Sequence, residues 1–496
     1  MSLPWWWTTS PYQQTALYRL TGLWSLVLLV AILRQVPLHS IARRRLYALV
    51  ALAGVFQSIL AFWQLIWPGA AGRLMGFNLS LTGGRPVGNL LQANLLGSFL
   101  ATAFLCSLWL AFSSRRPGSR ALALAGVFWL AAGIMASLSR TALIAALPAA
   151  AILLCLVAGQ RTARLLAVGL ILGGLLAGQG VLALRPAVLS HPSGDARPVT
   201  TTARLQHDRL HSGIERQALI KGAVAMITRA PLAGNGLGSF ERQFPDALAS
   251  IGVNNPFTVT VSHPHNEILY VWSEGGIVAA LGLLLWLGVW GSPLLRRRRR
   301  VASGWLLTVP LVVHCMTEMP FYLSAIHAVL LAILFRLALP AGGAPTLPAR
   351  PLRYLCVAGL ILLCLSGGAF MATGIQSATR LQEAERFRLM DPTPLEYVSN
   401  PLAQPDRLLF DQAVNHLMMF NLLQDPSLTD LFSRQASYWL MLHNDANLTA
   451  TLMRLAQRRG DVAQTQHWRR RGCLSFRQDE RFQCQSFLLL PESNHE

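Results

Sequence analysis

The chain has 496 residues, 53% hydrophobic and 13% charged, with a mean hydropathy of +0.42. This is too apolar for a soluble enzyme and fits an all-α polytopic membrane protein. The formal charge of +20 would suggest nucleic acid in a soluble chain. Here it orients membrane spans and attracts lipid phosphates, and no nucleic-acid partner is expected.

Apolar runs of spanning length predict about ten helices, at 16–33, 46–67, 89–112, 121–138, 141–158, 163–184, 266–290, 302–320, 322–339 and 352–375. Ahead of them MSLPWWWTTSPYQQ lacks the charged start and cleavage site of a signal peptide, and Trp5, Trp6 and Trp7 read as an interfacial aromatic belt. The arginine-rich connections Ala42–Arg45, Ser113–Arg120, Gln160–Arg164, Leu294–Arg300 and Pro348–Arg353 fall on one side, which the positive-inside rule makes cytoplasmic. Opposite them lie Pro68–Gly88, Ser137–Arg140, a long loop over 185–262, the turn His314–Pro320 and the tail from Thr373. Two domains are expected: a transmembrane unit over 1–375 with that loop, and a soluble helical unit over 376–496. The second has apolar residues at spacings of three and four, broken at Pro and Asp-Pro, as in a repeat-like helical array. Its Cys473 and Cys484 are candidates for a bridge.

The outer segments carry the chemistry. SHPHNEILYVWSEGG, Ser262–Gly276, leads into a span; Pro264 suits a first helical position, making His263 the cap and His265 and Asn266 the next helical residues. A helix N-terminus attracts phosphate oxygens and keeps a nearby imidazole neutral, so His265 reads as a general base beside an anionic substrate. A histidine pair that only caps a helix is the alternative. A metal site is another, if His314 and Glu318 joined the pair; those two also suit a simple span-end pair.

Cations come from other outer segments. Arg85 opens GGRPVGNLLQANLLG, Gly83–Gly97, and Arg140 lies in the tight re-entry SLSRTAL, Ser137–Leu143. Arg216 and Lys221, the only lysine, sit on an amphipathic helix that stops at Pro231 before GNGLG, Gly234–Gly238, a tight turn rather than a nucleotide loop. Arginine at a membrane lip is costly unless it meets an anion, the alternative being snorkelling to lipid headgroups.

GRPVGNLLQANLLG, SRTAL, the Arg216 helix with PLAGNGLGSF, HPHNEILYVWSEGG and HCMTEMP, in this order from Leu81 to Pro320, resemble the bacterial O-antigen ligase and O-linked protein oligosaccharyltransferase superfamily. The resemblance implies a polyprenyl-pyrophosphate-linked glycan donor and transfer on the periplasmic face of the inner membrane. The acceptor would be serine or threonine of a pilin-like protein, or a lipid A core in the ligases; related polymerases extend the glycan. The HPHN form and the helical tail look more like the protein-directed branch, and Ala279 departs from the ligase pattern.

The resemblance further implies His265 as base, and Arg216 and Arg140, with Arg85, as cations for the leaving pyrophosphate. His263, Asn266, Lys221, Glu274, His314 and Glu318 would bind or orient substrate. No nucleotide and no obligatory metal are implied, and relatives usually begin inside with one or two further spans. Two other classes stand beside this reading. A transporter would place ionisable residues near the bilayer midplane, and a scaffold would need no shared pocket.

Overall fold

A computed structural model of the chain describes residues 1–9, 12–36, 38–157, 161–184, 201–296, 299–339 and 350–484. The expected loop residues 185–200 and parts of three arginine-rich connections (158–160, 297–298 and 340–349) lie outside the described residues.

Helices α1 (Tyr12–Gln35), α2 (Ser40–Ile66), α3 (Pro68–Met75), α4 (Ala93–Ser113), α5 (Pro117–Ala136), α6 (Arg140–Val157) and α7 (Arg161–Ala183) form the first half. The long loop between α7 and the next long helix contributes α8 (Thr201–Arg229) and α9 (Phe240–Ser250). Next come α10 (Glu267–Gly291), α11 (Arg299–Leu306), α12 (Val309–His314), α13 (Pro320–Leu323), α14 (Ala325–Ala338) and α15 (Arg350–Arg386). The C-terminal array is α16 (Thr393–Glu396), α17 (Pro405–Leu423), α18 (Pro426–Leu442), α19 (Ala446–Arg458) and α20 (Val462–Ser475). No strand occurs among the described residues.

Among the described residues, seven helices are long and apolar enough to cross a membrane: α1, α2, α4, α5, α7, α10 and α15. The remaining three predicted spans are shorter helices, over Arg140–Leu156, Val301–His314 and Ala325–Ala338. The run 302–320 divides because Pro310 cannot donate to a continuing helix, so α11 ends and α12 begins with this proline in its first turn. The run 89–112 becomes helical only at Ala93, since Gly88 takes φ +59° and Leu91 φ +64°.

Helix α4 is the hub, buried along most of its length against α2, α5, α6 and α12. Small residues permit this packing where lipid supplies no hydrophobic drive. Gly174 and Gly178 of α7 lie directly on the carbonyls of Phe128 and Ala132 in α5, where a Cβ would collide. By contrast α1 and α15 bury almost none of their apolar surface within the chain, as lipid-facing helices do.

The C-terminal helices close over their own core, which includes Phe432, Leu440, Leu452, Trp468 and Phe482. Asp425, Asp445 and Asp461 cap α18, α19 and α20 by accepting from the amides of Ser427, Leu448 and Gln464. Cys473 and Cys484 are bridged. The array grips this long loop: Thr260 donates to the Asn444 carbonyl at 2.6 Å and Asn255 to the Ser475 carbonyl at 2.9 Å. His443 meets Glu241 of α9 at 3.2 Å, and the Asn444 side chain donates to the Glu241 carbonyl at 2.6 Å.

Candidate active site

Four segments converge where the long loop enters α10. The expected cap is corrected here: Asn266, not His263, caps the helix, accepting from the Leu269 amide at 3.1 Å, and helix begins at Glu267. Asparagine's short side-chain oxygen reaches the first-turn amides, which the histidine ring does not. His265 therefore lies before the helix, in left-handed backbone at φ +52°. Its ring is aimed not at first-turn amides but at Glu318, with Nδ1 3.1 Å from Oε2.

Glu318 sits in the turn between α12 and α13, and that turn is tied to the α10 entrance by the Glu267 amide, which donates to the Cys315 carbonyl at 3.0 Å. Asn94 at 3.1 Å and Gln92 at 3.4 Å donate to the same carboxylate. Burial pushes Glu318 up, but hydrogen bonds from His265 and Asn94 and the nearby imidazoles outweigh it and hold the group down at about 2. An ionised carboxylate has only lone pairs to offer, so the hydrogen between the two groups belongs to His265 Nδ1. In the neutral ring that leaves Nε2 as a proton acceptor.

His263 packs beside it, ring centroids 4.4 Å apart. Its Nδ1 meets Ser262 Oγ at 2.9 Å, while its Nε2 is buried without a hydrogen-bond partner among the described residues. Burial lowers this imidazole to about 4, and His265 and Arg19 add to the effect. The nitrogen and oxygen donors of His263, His265 and Glu318 lie within 4.8 Å of one another, a set able to hold a metal ion.

Arg85 donates to Asn94 Oδ1 at 2.7 Å and to the Ser137 carbonyl at 3.3 Å, and so stands behind the Glu318 network. Burial lowers it, the nearby Glu318 raises it and Arg140 lowers it further, so both cations and the carboxylate share one locality. Arg140 starts α6, exposed, with no hydrogen bond or ion pair to a described residue. Thr141, beside it, meets Thr317 at 3.2 Å. Three of these segments carry a non-glycine residue at positive φ, Leu91, Leu138 and His265.

Other predicted residues are placed differently. Arg216 and Lys221 lie exposed on α8, and no hydrogen bond or ion pair joins them to the His265–Glu318 pair. The His314 ring makes no pair with Glu318; it is wholly buried, and neither nitrogen has a hydrogen-bond partner among the described residues. Glu274 is buried too, ion-paired to Arg19 at 3.1 Å and accepting from the amides of Gly238 and Phe240. The glycine-rich turn thus anchors on Glu274, and three positive-φ glycines (Gly234, Gly236 and Gly238) let its amides face inward.

Arg19 was not anticipated, although it is the one charged residue in the run 16–33, a signal for function inside a membrane. It also bonds the Tyr270 hydroxyl. It lines a cavity of about 620 Å³ bounded by α1, α10 and α12–α14, whose walls are otherwise mostly leucine, valine and aromatic residues.

Fold and site together define a multi-pass helical membrane protein with a histidine–carboxylate pair and arginines at one end of its spans. A family model described as O-Antigen ligase matches residues 125–287, and one described as Virulence factor membrane-bound polymerase, C-terminal, matches residues 302–487. The chain belongs to the O-antigen ligase superfamily, as its motifs implied, and is an enzyme of glycan transfer in the ligase and polymerase family. The family implies a lipid-linked glycan donor and an acceptor. No curated protein and no solved structure matches the chain. The histidine pair lies in the first matched segment and Glu318 in the second, so the pair joins both.

Proposed function

We propose that the protein transfers a glycan from a polyprenyl-pyrophosphate carrier to serine or threonine of an acceptor protein such as a pilin, at the periplasmic face of the inner membrane. The observation that carries this reading is the His265–Glu318 pair at 3.1 Å, with Arg85 and Arg140 in the same locality. Glu318 fixes the ring and its tautomer, and His265 Nε2 takes the proton of the acceptor hydroxyl. The hydroxyl oxygen bonds the anomeric carbon as the bond from that carbon to the pyrophosphate oxygen breaks. Single displacement inverts the anomeric carbon. Arg140 and Arg85 neutralise the charge that develops on the leaving pyrophosphate, and Arg216, exposed on α8, supplies a further cation on the donor side.

The 620 Å³ cavity suits an isoprenoid chain, being apolar over most of its wall and bordered by Arg19. The transmembrane unit over 1–375 carries the reaction on this reading. The helical unit over 376–496 braces the loop that bears His263 and presents the acceptor. Polymerisation of the glycan is the second reading, favoured by the match of residues 302–487 to the membrane-bound polymerase family.

The deciding experiment offers a defined polyprenyl-pyrophosphate glycan to purified enzyme with pilin-like protein, lipid A core or a second glycan as acceptor. Transfer to the protein that is lost in His265→Ala is the expected result. Product on lipid A core or on glycan alone overturns the protein acceptor, and full activity of His265→Ala overturns the base.

A further inference from the structure

We propose that His263, His265 and Glu318 form a binding site for a divalent transition-metal ion of the zinc class, and that the ion, once bound, blocks transfer. Three observations converge. The donor atoms lie within 4.8 Å of one another. The 3.1 Å between His265 Nδ1 and Glu318 Oε2 is close to the edge of a tetrahedron with bonds of about 2.0–2.2 Å, roughly 3.3 Å, so two ligands stand almost in place. The third ligand is at hand, because His263 spends Nδ1 on Ser262 and keeps a buried Nε2 with no partner among the described residues.

Two imidazoles and a carboxylate form a set that zinc accepts with its fourth position open. The supporting residues are also of the right kind. Asn94 and Gln92 donate to Glu318 and fix its orientation, as groups behind a ligating carboxylate do. The two histidines are held together by Pro264 between them and by the left-handed backbone at His265.

Occupation is incompatible with base catalysis. A metal on His265 Nδ1 displaces the hydrogen shared with Glu318, and the neutral ring then carries its proton on Nε2, where it cannot accept another. A metal on Nε2 takes the same lone pair directly. The inhibitory half of the proposal rests on the base assigned to His265; the binding half does not.

The test uses the full chain in detergent, stripped of metal. Zn²⁺ is titrated by calorimetry and Co²⁺ by visible absorption, which reports a tetrahedral nitrogen and oxygen set without any transfer assay. One ion per chain is expected, with affinity falling at least about tenfold in His263→Gln and in Glu318→Gln. Both replacements retain hydrogen-bonding groups, and elution as a single species controls for folding. In the wild-type enzyme saturating Zn²⁺ is expected to lower transfer at least about tenfold, reversed by chelator, the scale on which a lost base acts.

Absence of stoichiometric binding, or binding unchanged in both variants, overturns the site. Binding without inhibition overturns the block and leaves the site standing. Activity lost to chelator and restored by zinc overturns the inhibitory role and, separately, the metal-free reaction.

Discussion

Glu318 and His265 meet at 3.1 Å although 53 residues of chain separate them, and the carboxylate is held from its other side by Asn94. A carboxylate so fixed selects the tautomer of its histidine. Glu318→Ala is expected to lower kcat by about 100- to 10,000-fold while leaving KM for the donor within about threefold. Glu318→Asp, which restores the charge, should recover part of the loss. Steady-state transfer kinetics on the two variants check this, and a fall of less than about tenfold would remove Glu318 from the reaction.

Arg140 stands exposed with no ion pair to a described residue, whereas Arg85 is engaged with Asn94 and Ser137. Arg140→Ala should therefore act on the leaving group alone, costing about 100- to 1,000-fold in kcat with unchanged thermal stability. Arg85→Ala should also lower the melting temperature, since it strips the Asn94 and Ser137 oxygens of their partner. Paired measurements of rate and melting curve separate the two roles.

What the sequence could tell about this site followed distance along the chain. The segments bearing His265, Arg140 and Arg85 were legible because each couples polar residues to the end of an apolar run. Pairing His265 with Glu318 was not, because nothing local specifies which turn faces which; α4, through Asn94, settles it. The start of α10 was misread by three residues, since Pro264 satisfies the rule for a first helical position and Asn266 satisfies the rule for a cap, and the asparagine prevails. Helix content was legible throughout, but three expected spans are shorter helices, and one of them, the run 302–320, is divided at Pro310. The bridge between Cys473 and Cys484 followed from there being two cysteines in the tail.

His443, between Glu241 and Asp406, joins the C-terminal array to the long loop through Glu241. Burial lowers it, but the Asp406 and Glu241 carboxylates on either side of the ring, the latter hydrogen-bonded to Nδ1, outweigh that and raise it to about 9. A group raised in the folded chain stabilises it fully below its unfolded value of about 6.5 and loses that contribution as pH climbs through 9. The array should loosen between pH 7 and 10 by about 1–3 kcal/mol, a trend that His443→Gln abolishes. Melting curves across that range test it, and parallel profiles for the two proteins would refute the clamp.

Glu274 is buried, ion-paired to the partly exposed Arg19, and holds two amides of the glycine-rich turn. Removing Glu274 leaves the partly buried Arg19 without its carboxylate and two amides, of Gly238 and Phe240, without their acceptor. Glu274→Ala is expected to cost about 3–5 kcal/mol, and joint replacement of Glu274 and Arg19 by apolar residues less than the sum of the two single changes. Denaturation in a fixed detergent gives both numbers.

Inside α10, Gly276 leaves helical geometry at φ +64°, where a Cβ would also strike the Leu232 carbonyl. Backbone groups beside this break bond outward: the Ile277 amide to Pro231, and the Ser273 and Glu274 carbonyls to Asn235 and Gly236. Left bare in hydrocarbon, each such group would cost several kcal/mol. This span therefore cannot mature as an independent transmembrane segment. Its insertion is stitched to a stretch that the ribosome makes earlier, so biogenesis of this helix, the sixth of the seven long apolar helices among the described residues, waits on the loop before it.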